Sequence, residues 1–116
     1  MGRPANREER AHWGRVRELG CIVTGSMTDV TIHHCHSGSI AAMGYNRGST
    51  RSNHWLVIPL TLRLHSLDPD GIDAGCGVLT WERKFGSQVA HLDTVSLLLG
   101  YNVWARAGVE RDVILD

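Results

Sequence analysis

The pattern of apolar and polar positions predicts helices at both ends of the chain. Residues 5–19 are mostly charged with few apolar positions, and Gly20 follows them, as is typical of a surface helix that ends at a glycine. Further helices are predicted over residues 79–85 and 88–99, because a glycine follows each of these stretches. The tail, residues 101–116, carries enough apolar side chains that we expect it to pack against the rest of the protein.

Two short segments rich in β-branched residues predict a hairpin after the first helix. Residues 21–24 and 30–34 have this character, and a Gly-Ser turn signal lies between them. A long polar stretch over residues 35–54 follows, and loops of this length in compact domains tend to be functional or mobile. Pro59 then suits the first turn of a short helix, which we expect over residues 60–65. This order of elements predicts an α+β fold.

The length of 116 residues leaves room for a single domain, residues 1–116, and no apolar run approaches the roughly 18 residues that span a bilayer. The first residues lead into charged positions and not into the apolar segment of a secretion signal. The three cysteines, Cys21, Cys35 and Cys76, are odd in number and irregularly spaced, which favours reduced thiols over disulfides. We therefore expect a cytoplasmic protein with no membrane partner.

The charges balance overall but are unevenly placed along the chain. Residues 1–65 hold eight arginines and four acidic residues, a net charge of +4, whereas residues 66–116 hold four basic and eight acidic residues, a net charge of −4. The zero total argues against a strongly basic nucleic-acid binder. The asymmetry favours one face that meets an anionic partner.

A pair of histidines and a third, distant one are the candidate chemical groups. His33 and His34 end a predicted strand, and His65 ends the predicted short helix. Neighbours on a strand point to opposite faces, so one of the pair can hold a metal while the other faces a nearby water. A neutral imidazole accepts a proton at neutral pH, and with one divalent ion it can supply what phosphodiester hydrolysis needs. A purely structural role for the pair is the alternative.

The setting of these histidines resembles the His-Asn-His (HNH) motif of the ββα-metal nucleases. The finer resemblance is to phage recombination-enhancement, RecA-dependent nuclease-like proteins, and it covers roughly residues 21–90. The segments that carry the resemblance are Ile32-His33-His34, Met43-Gly44, Ser52-Asn53-His54, Ile58-Pro59-Leu60 leading to His65, and Trp81-Glu82-Arg83-Lys84-Phe85-Gly86-Ser87-Gln88. The resemblance implies a small ββα-metal core with flanking N- and C-terminal helices, the latter within residues 79–116.

The resemblance also implies roles for individual residues. His34 would be the general base that deprotonates the attacking water, and Asn53 would orient its imidazole. His33 and His65 would bind the metal. Asp73 stands where relatives often have a histidine, so either it is a third ligand or that role is lost.

The activity implied is metal-dependent hydrolysis of DNA phosphodiester bonds by a phage-encoded endonuclease linked to recombination in the host cytoplasm. Arg47 and Arg51 would hold neighbouring phosphates, contacts that fix position and not sequence. A RecA-type filament is the implied partner besides DNA. Magnesium, manganese, nickel and zinc are the candidate ions, and histidine ligands favour the transition metals because magnesium prefers oxygen.

The cysteines depart from the pattern of the resembled nucleases. Those often have a structural zinc site built from a Cys-x-x-Cys pair and the helix, whereas here Thr24, Thr61 and Leu64 occupy three of those positions. A different zinc site is conceivable, with buried free thiols as the alternative. Its candidate ligands are Cys21, Cys35, His36 and Cys76. Two other functions therefore stay open: a weak or inactive DNA-binding recombination accessory protein on this scaffold, and a structural zinc module for protein contacts.

Overall fold

A two-stranded antiparallel sheet surrounded by helices forms the structure, a computed structural model that describes residues 3–44 and 53–115. In chain order the elements are α1 (Arg7–Glu18), β1 (Val30–His34), α2 (Gly38–Ala42), β2 (Val57–Thr61), α3 (Leu62–Ser66), α4 (Val78–Phe85), α5 (Gln88–Leu99) and α6 (Val103–Arg106). This is an α+β arrangement, as the order of apolar patterns predicted. No described helix is long and apolar enough to cross a lipid bilayer.

Helix α1 confirms the prediction for residues 5–19, and a reciprocal cap explains where it begins. The Asn6 side chain accepts a hydrogen bond from the Glu9 backbone at 2.9 Å, while the Glu9 carboxylate accepts one from the Asn6 backbone at 2.9 Å. Glu9 is also paired with both terminal nitrogens of Arg3, at 2.6 and 2.7 Å. The pair anchors the residues that precede the helix against its first turn.

The predicted hairpin was wrong, because the strand over residues 30–34 has a different partner. Residues 21–24 form a turn, and β1 pairs instead with β2, in a register that places His33 opposite Ile58. Pro59 therefore lies inside a strand and does not begin a helix. A proline is tolerated there because β2 pairs with a strand on one side only, and the Pro59 carbonyl accepts a hydrogen bond from Ile22 at 2.9 Å.

The helices predicted over residues 79–85 and 88–99 are α4 and α5. Ser87 caps α5 by accepting a hydrogen bond from the Ala90 backbone at 3.0 Å, and Gly100 ends it in the left-handed conformation. The tail packs only in part: Trp104 is fully buried, whereas Ile114 is 84% exposed.

The hydrophobic core joins the sheet to the later helices and holds the site in place. Its largest fully buried side chains are Trp81, Trp104, Ile40, Leu56, Ile58, Leu60, Leu64, Ile72 and Leu92. Burying each large apolar side chain contributes about 1.5–3 kcal/mol. Leu64 and Ile72 are both buried, and the Ile72 backbone N–H donates to the Leu64 carbonyl at 2.9 Å, which holds the segment after α3 against that helix.

Candidate metal centre and the adjoining histidine pair

Three side chains from separate segments converge at the end of the sheet. His33 comes from β1, His65 from α3 and Asp73 from the turn that follows, and one ligand atom of each lies within 4.8 Å of the others. Asp73 is held there because its backbone N–H donates to the His65 carbonyl at 2.9 Å. These three residues can hold a metal ion, and they are the only such group in the described part of the chain.

The tautomer of His33 is determined by Gln88. The Gln88 side chain pairs with the backbone of His36, accepting from its N–H at 3.0 Å and donating to its carbonyl at 2.8 Å. This pairing turns the Gln88 oxygen toward Nε2 of His33, 3.1 Å away, so that Nε2 must carry the ring hydrogen. The lone pair of neutral His33 is therefore on Nδ1. That atom is buried, lacks a hydrogen-bond partner among the described residues, and lies 3.3 Å from Asp73 Oδ2.

The tautomer of His65 is determined in the same way by Thr31. The Thr31 hydroxyl donates its one hydrogen to the Leu60 carbonyl at 2.7 Å. The same oxygen lies 2.7 Å from Nδ1 of His65, and it can only accept there, so Nδ1 carries the hydrogen. The Nε2 lone pair of His65 then faces Asp73 Oδ2 at 3.1 Å.

Two imidazole lone pairs thus face one carboxylate oxygen, an arrangement that fits a cation. Burial raises the pKa of Asp73, but the hydrogen bond donated by His36 opposes burial, and the pKa is held well below its usual range. The carboxylate is therefore ionised at neutral pH. Lone pairs facing an ionised oxygen repel one another unless a positive charge lies between them. Two histidine nitrogens and one carboxylate oxygen match the ligand preferences of zinc and related divalent metals.

His36 lies behind this group and supports it. Its Nε2 donates to the second oxygen of Asp73 at 2.9 Å, while its Nδ1 accepts from the Ser37 hydroxyl at 3.0 Å. The carboxylate therefore has one oxygen held by His36 and the other left for a ligand role. Partners of this kind, one layer behind the ligands, orient metal sites in proteins.

The candidate zinc site built from cysteines was wrong. Cys21, Cys35 and Cys76 are free thiols, and none joins a group of three metal-ligating side chains in the described ranges. Complete burial raises the pKa of the Cys35 thiol well above its usual value, which keeps it protonated. His36, which sequence reasoning placed with the cysteines, belongs to Asp73 instead.

Glu82 and Gln88, whose role the sequence left open, connect the site to three helices. The Glu82 carboxylate accepts hydrogen bonds from the Ser39 backbone at 2.9 Å, from the Ser39 hydroxyl, and from the Gln88 backbone at 2.7 Å. It thereby joins α2 to α4 and α5. Gln88, fully buried at the start of α5, is fixed in position and reaches His33. Both residues lie in the segment that carries the resemblance, but their partners are distant in sequence.

His34 lies in the same cleft as the metal-ligating group. The cleft has a volume of about 650 Å³ and is lined by Ile32, His34, His36, His65, Ile72, Asp73, Gly77 and Val78. Burial, and after it the neighbouring imidazoles of His54, His33 and His65, lowers the pKa of His34 to about 4. The imidazole is therefore neutral at pH 7 and can accept a proton. Its described hydrogen bond joins Nε2 to Nδ1 of His54 at 3.0 Å.

Asn53 does not contact His34 in the structure. Its side chain donates to the Ala107 carbonyl at 3.1 Å and accepts from the Trp55 backbone at 3.2 Å. The expected orienting contact comes instead from the next residue, His54, which sequence reasoning did not single out. Arg47 and Arg51, the expected phosphate contacts, lie outside the described residues.

A cationic patch lies around Tyr101 and Trp55, the residue that follows His54. The guanidinium of Arg106 lies 4.6 Å from the centre of the Tyr101 ring and 5.4 Å from that of Trp55. Arg15 lies 5.4 Å from the Tyr101 ring and donates to its hydroxyl at 3.1 Å. That hydroxyl donates in turn to His12, 2.6 Å away. Neither arginine pairs with an acidic side chain of the described chain.

No protein-family model matches the chain, and a search of curated proteins finds no significant similarity.

Proposed function

We propose that this protein is a metal-dependent DNA endonuclease of the HNH type. The observation that carries the proposal is the convergence of His33, His65 and Asp73, with both histidines held in the tautomer that turns a lone pair toward the carboxylate. The antiparallel pair β1 and β2, with α2 between them in the chain and α3 after them, supports the ββα arrangement that the resemblance implies. His34 adds a neutral base in the same cleft.

The roles follow from where the side chains lie. His33, His65 and Asp73 would hold the divalent ion, which supplies charge neutralisation at the scissile phosphate and at the leaving oxygen. His34 accepts the proton of the attacking water, for which its neutral imidazole is suited. His36 keeps the Asp73 carboxylate oriented by donating to its second oxygen.

The cationic patch of Arg15 and Arg106 supports a polyanionic substrate. Guanidinium groups pair with phosphate oxygens, and neighbouring aromatic rings provide faces for bases. Arg106 lies beside Trp55, the residue that follows His54, and His54 contacts His34 of the cleft. A RecA-type filament as partner and a phage origin rest on the sequence resemblance alone, and a cytoplasmic location rests on the resemblance and on the cysteine pattern.

The test is cleavage of supercoiled plasmid and single-stranded circular DNA, with magnesium, manganese, nickel, zinc or EDTA added. Wild type is compared with His34→Ala and Asp73→Asn. We expect metal-dependent nicking by wild type and its loss, by at least about 100-fold, in both variants. His91→Gln is the matched control, because His91 bonds the Phe85 carbonyl and does not line the cleft.

Unchanged nicking by a folded His34→Ala protein would contradict the assignment of the base. Failure of wild type to cleave under any of these conditions, while it still binds DNA, would overturn the nuclease proposal. It would support a DNA-binding recombination accessory protein on the same scaffold.

A further inference from the structure

A chain of three hydrogen-bonding groups determines which nitrogen of His34 is free. His54 Nε2 lies 2.7 Å from the main-chain carbonyl of Arg3, and a carbonyl can only accept, so this nitrogen carries the ring hydrogen. The other nitrogen of neutral His54, Nδ1, then has a lone pair. It lies 3.0 Å from Nε2 of His34, which must therefore donate. The remaining nitrogen of His34, Nδ1, is left with a lone pair.

That free nitrogen has no hydrogen-bond partner among the described residues, and the His34 side chain is half-buried. His34 lines the cleft that contains Asp73 and His65. Its free lone pair is therefore accessible to a water molecule there.

The supporting groups are themselves held in place. Trp13 donates its ring N–H to the His54 carbonyl at 2.8 Å, and its ring meets those of His34 and His54 edge-on at 5.3 and 5.4 Å. Arg3 is anchored by its two hydrogen bonds to Glu9, which is 1% exposed. The carbonyl, both rings and helix α1 thus form one connected unit.

We infer that His54, backed by the main-chain carbonyl of Arg3, is the positioning residue that holds His34 in the tautomer able to accept a proton from water. The inference rests on the proposed function in that it assigns His34 as the base. It makes Arg3 part of the active site, because its main-chain carbonyl is the terminal acceptor. The same geometry places His54, and not Asn53, behind His34 in this chain.

The first test is the tautomer itself, measured by NMR on the full chain with magnesium at neutral pH. The imidazole nitrogen shifts of His34 and His54 report which nitrogen carries hydrogen. We expect Nε2–H for both rings in wild type. In His54→Phe, which keeps a ring but has no acceptor, we expect His34 to become a mixture of tautomers.

Kinetics provide a second measure, with rescue by a conservative variant. In His54→Asn the amide oxygen can take the place of Nδ1 and accept from His34. We expect His54→Phe to lower kcat by roughly 10- to 100-fold with KM changed less than about 2-fold, and His54→Asn to recover most of the loss. Equal losses in both variants would mean that His54 acts only through packing and would overturn the inference.

The two proposals fail in distinguishable ways. A wild-type protein without nuclease activity overturns the proposed function, while its NMR spectrum still tests whether His54 positions His34. A wild-type spectrum with hydrogen on Nδ1 of His34 overturns the present inference even if DNA is cleaved. That spectrum needs no variant, so the test survives if His54→Phe does not fold.

Discussion

The Thr31 hydroxyl lies between His65 and the Leu60 carbonyl, and it determines which nitrogen of the His65 imidazole carries the ring hydrogen. The oxygen is 2.7 Å from Nδ1 of His65 and 2.7 Å from the Leu60 carbonyl, to which it donates. Because a hydroxyl has one hydrogen, its contact with His65 must be as an acceptor. The hydroxyl of Thr31, a half-buried residue of β1, thus leaves the lone pair of His65 on Nε2, the nitrogen that faces Asp73.

Replacing Thr31 by valine tests this relationship with almost no change of shape. Thr31→Val removes the acceptor, so we expect affinity for zinc or manganese to fall by about 10- to 100-fold, as is usual for groups behind metal ligands. Titration calorimetry measures the affinity. Thr94→Val is the control, since the Thr94 hydroxyl bonds the Ala90 carbonyl on an exposed helix face. Equal affinities in Thr31→Val and wild type would refute the role of Thr31.

The cationic patch predicts a salt-dependent contribution to DNA binding. In the double variant Arg15→Gln, Arg106→Gln, two phosphate contacts are lost, and each contributes about 0.9 to the slope of log affinity against log salt. We expect the slope to become shallower by about 2 and binding to weaken similarly for all sequences. Fluorescence anisotropy across a salt series measures both.

Arg83→Gln is the control for general loss of positive charge, because Arg83 is exposed on α4 and bonds Thr80 within its own helix. A slope change as large in this variant as in the double variant would exclude a local patch.

Burial of His12 predicts that stability falls in mild acid. Burial lowers the pKa of His12 from 6.5 to about 4, so the unfolded chain takes up a proton first as the pH falls. His12 therefore leaves stability unaffected above about pH 6.5 and reduces it between pH 6.5 and 4, by on the order of 3 kcal/mol. Urea unfolding at pH 7.5, 5.5 and 4.5 measures the loss.

His12→Gln keeps the donor that bonds the Trp55 carbonyl and removes the titrating group. We expect a smaller fall over the same pH range, with the remainder due to His34 and His91, whose pKa values burial also lowers. Parallel curves for wild type and variant would show that His12 does not titrate as described.

Two glycines predict opposite responses to alanine. Gly38, with a φ of +46°, packs so closely on the Glu82 carboxylate and Val78 that an added Cβ would overlap both. Gly38→Ala should lower the free energy of unfolding by about 2–4 kcal/mol. Gly14 lies in α1 with open space around its Cα, so Gly14→Ala should raise it by about 0.5–1 kcal/mol. Urea unfolding measures both, and a stable Gly38→Ala protein would contradict the packing described here.

The helices α1, α4 and α5 could be predicted because their signals are local. The Asn6–Glu9 cap, the Ser87 cap and the glycine after each helix act within one or two turns of the residues they organise. The strand partner could not be predicted in this way. Residues 21–24 are near β1 in sequence and β-prone, yet β2 is the partner because its buried face completes the core.

For the candidate site too, local features could be predicted from the sequence, and contacts between distant residues could not. The order of His33, His34 and His65 in the chain, together with the resemblance, sufficed to name candidate metal ligands and a candidate base, and Asp73 was named as a candidate third ligand. The direction of each side chain was decided by the tertiary structure, since it depends on contacts between residues far apart in the chain. Only the folded structure directs Asn53 to Ala107 and brings His54 to His34.

By itself the sequence determined the local helices, the α+β class and the identity of the chemical groups, because these depend on neighbouring residues. Tertiary structure alone decided which nitrogen of His33, His54 and His65 is free, because that depends on acceptors 34 to 55 residues away, which are Gln88, Arg3 and Thr31. A neutral imidazole carries its ring hydrogen on the nitrogen that faces a hydrogen-bond acceptor. The placement of acceptors is a property of the packed fold.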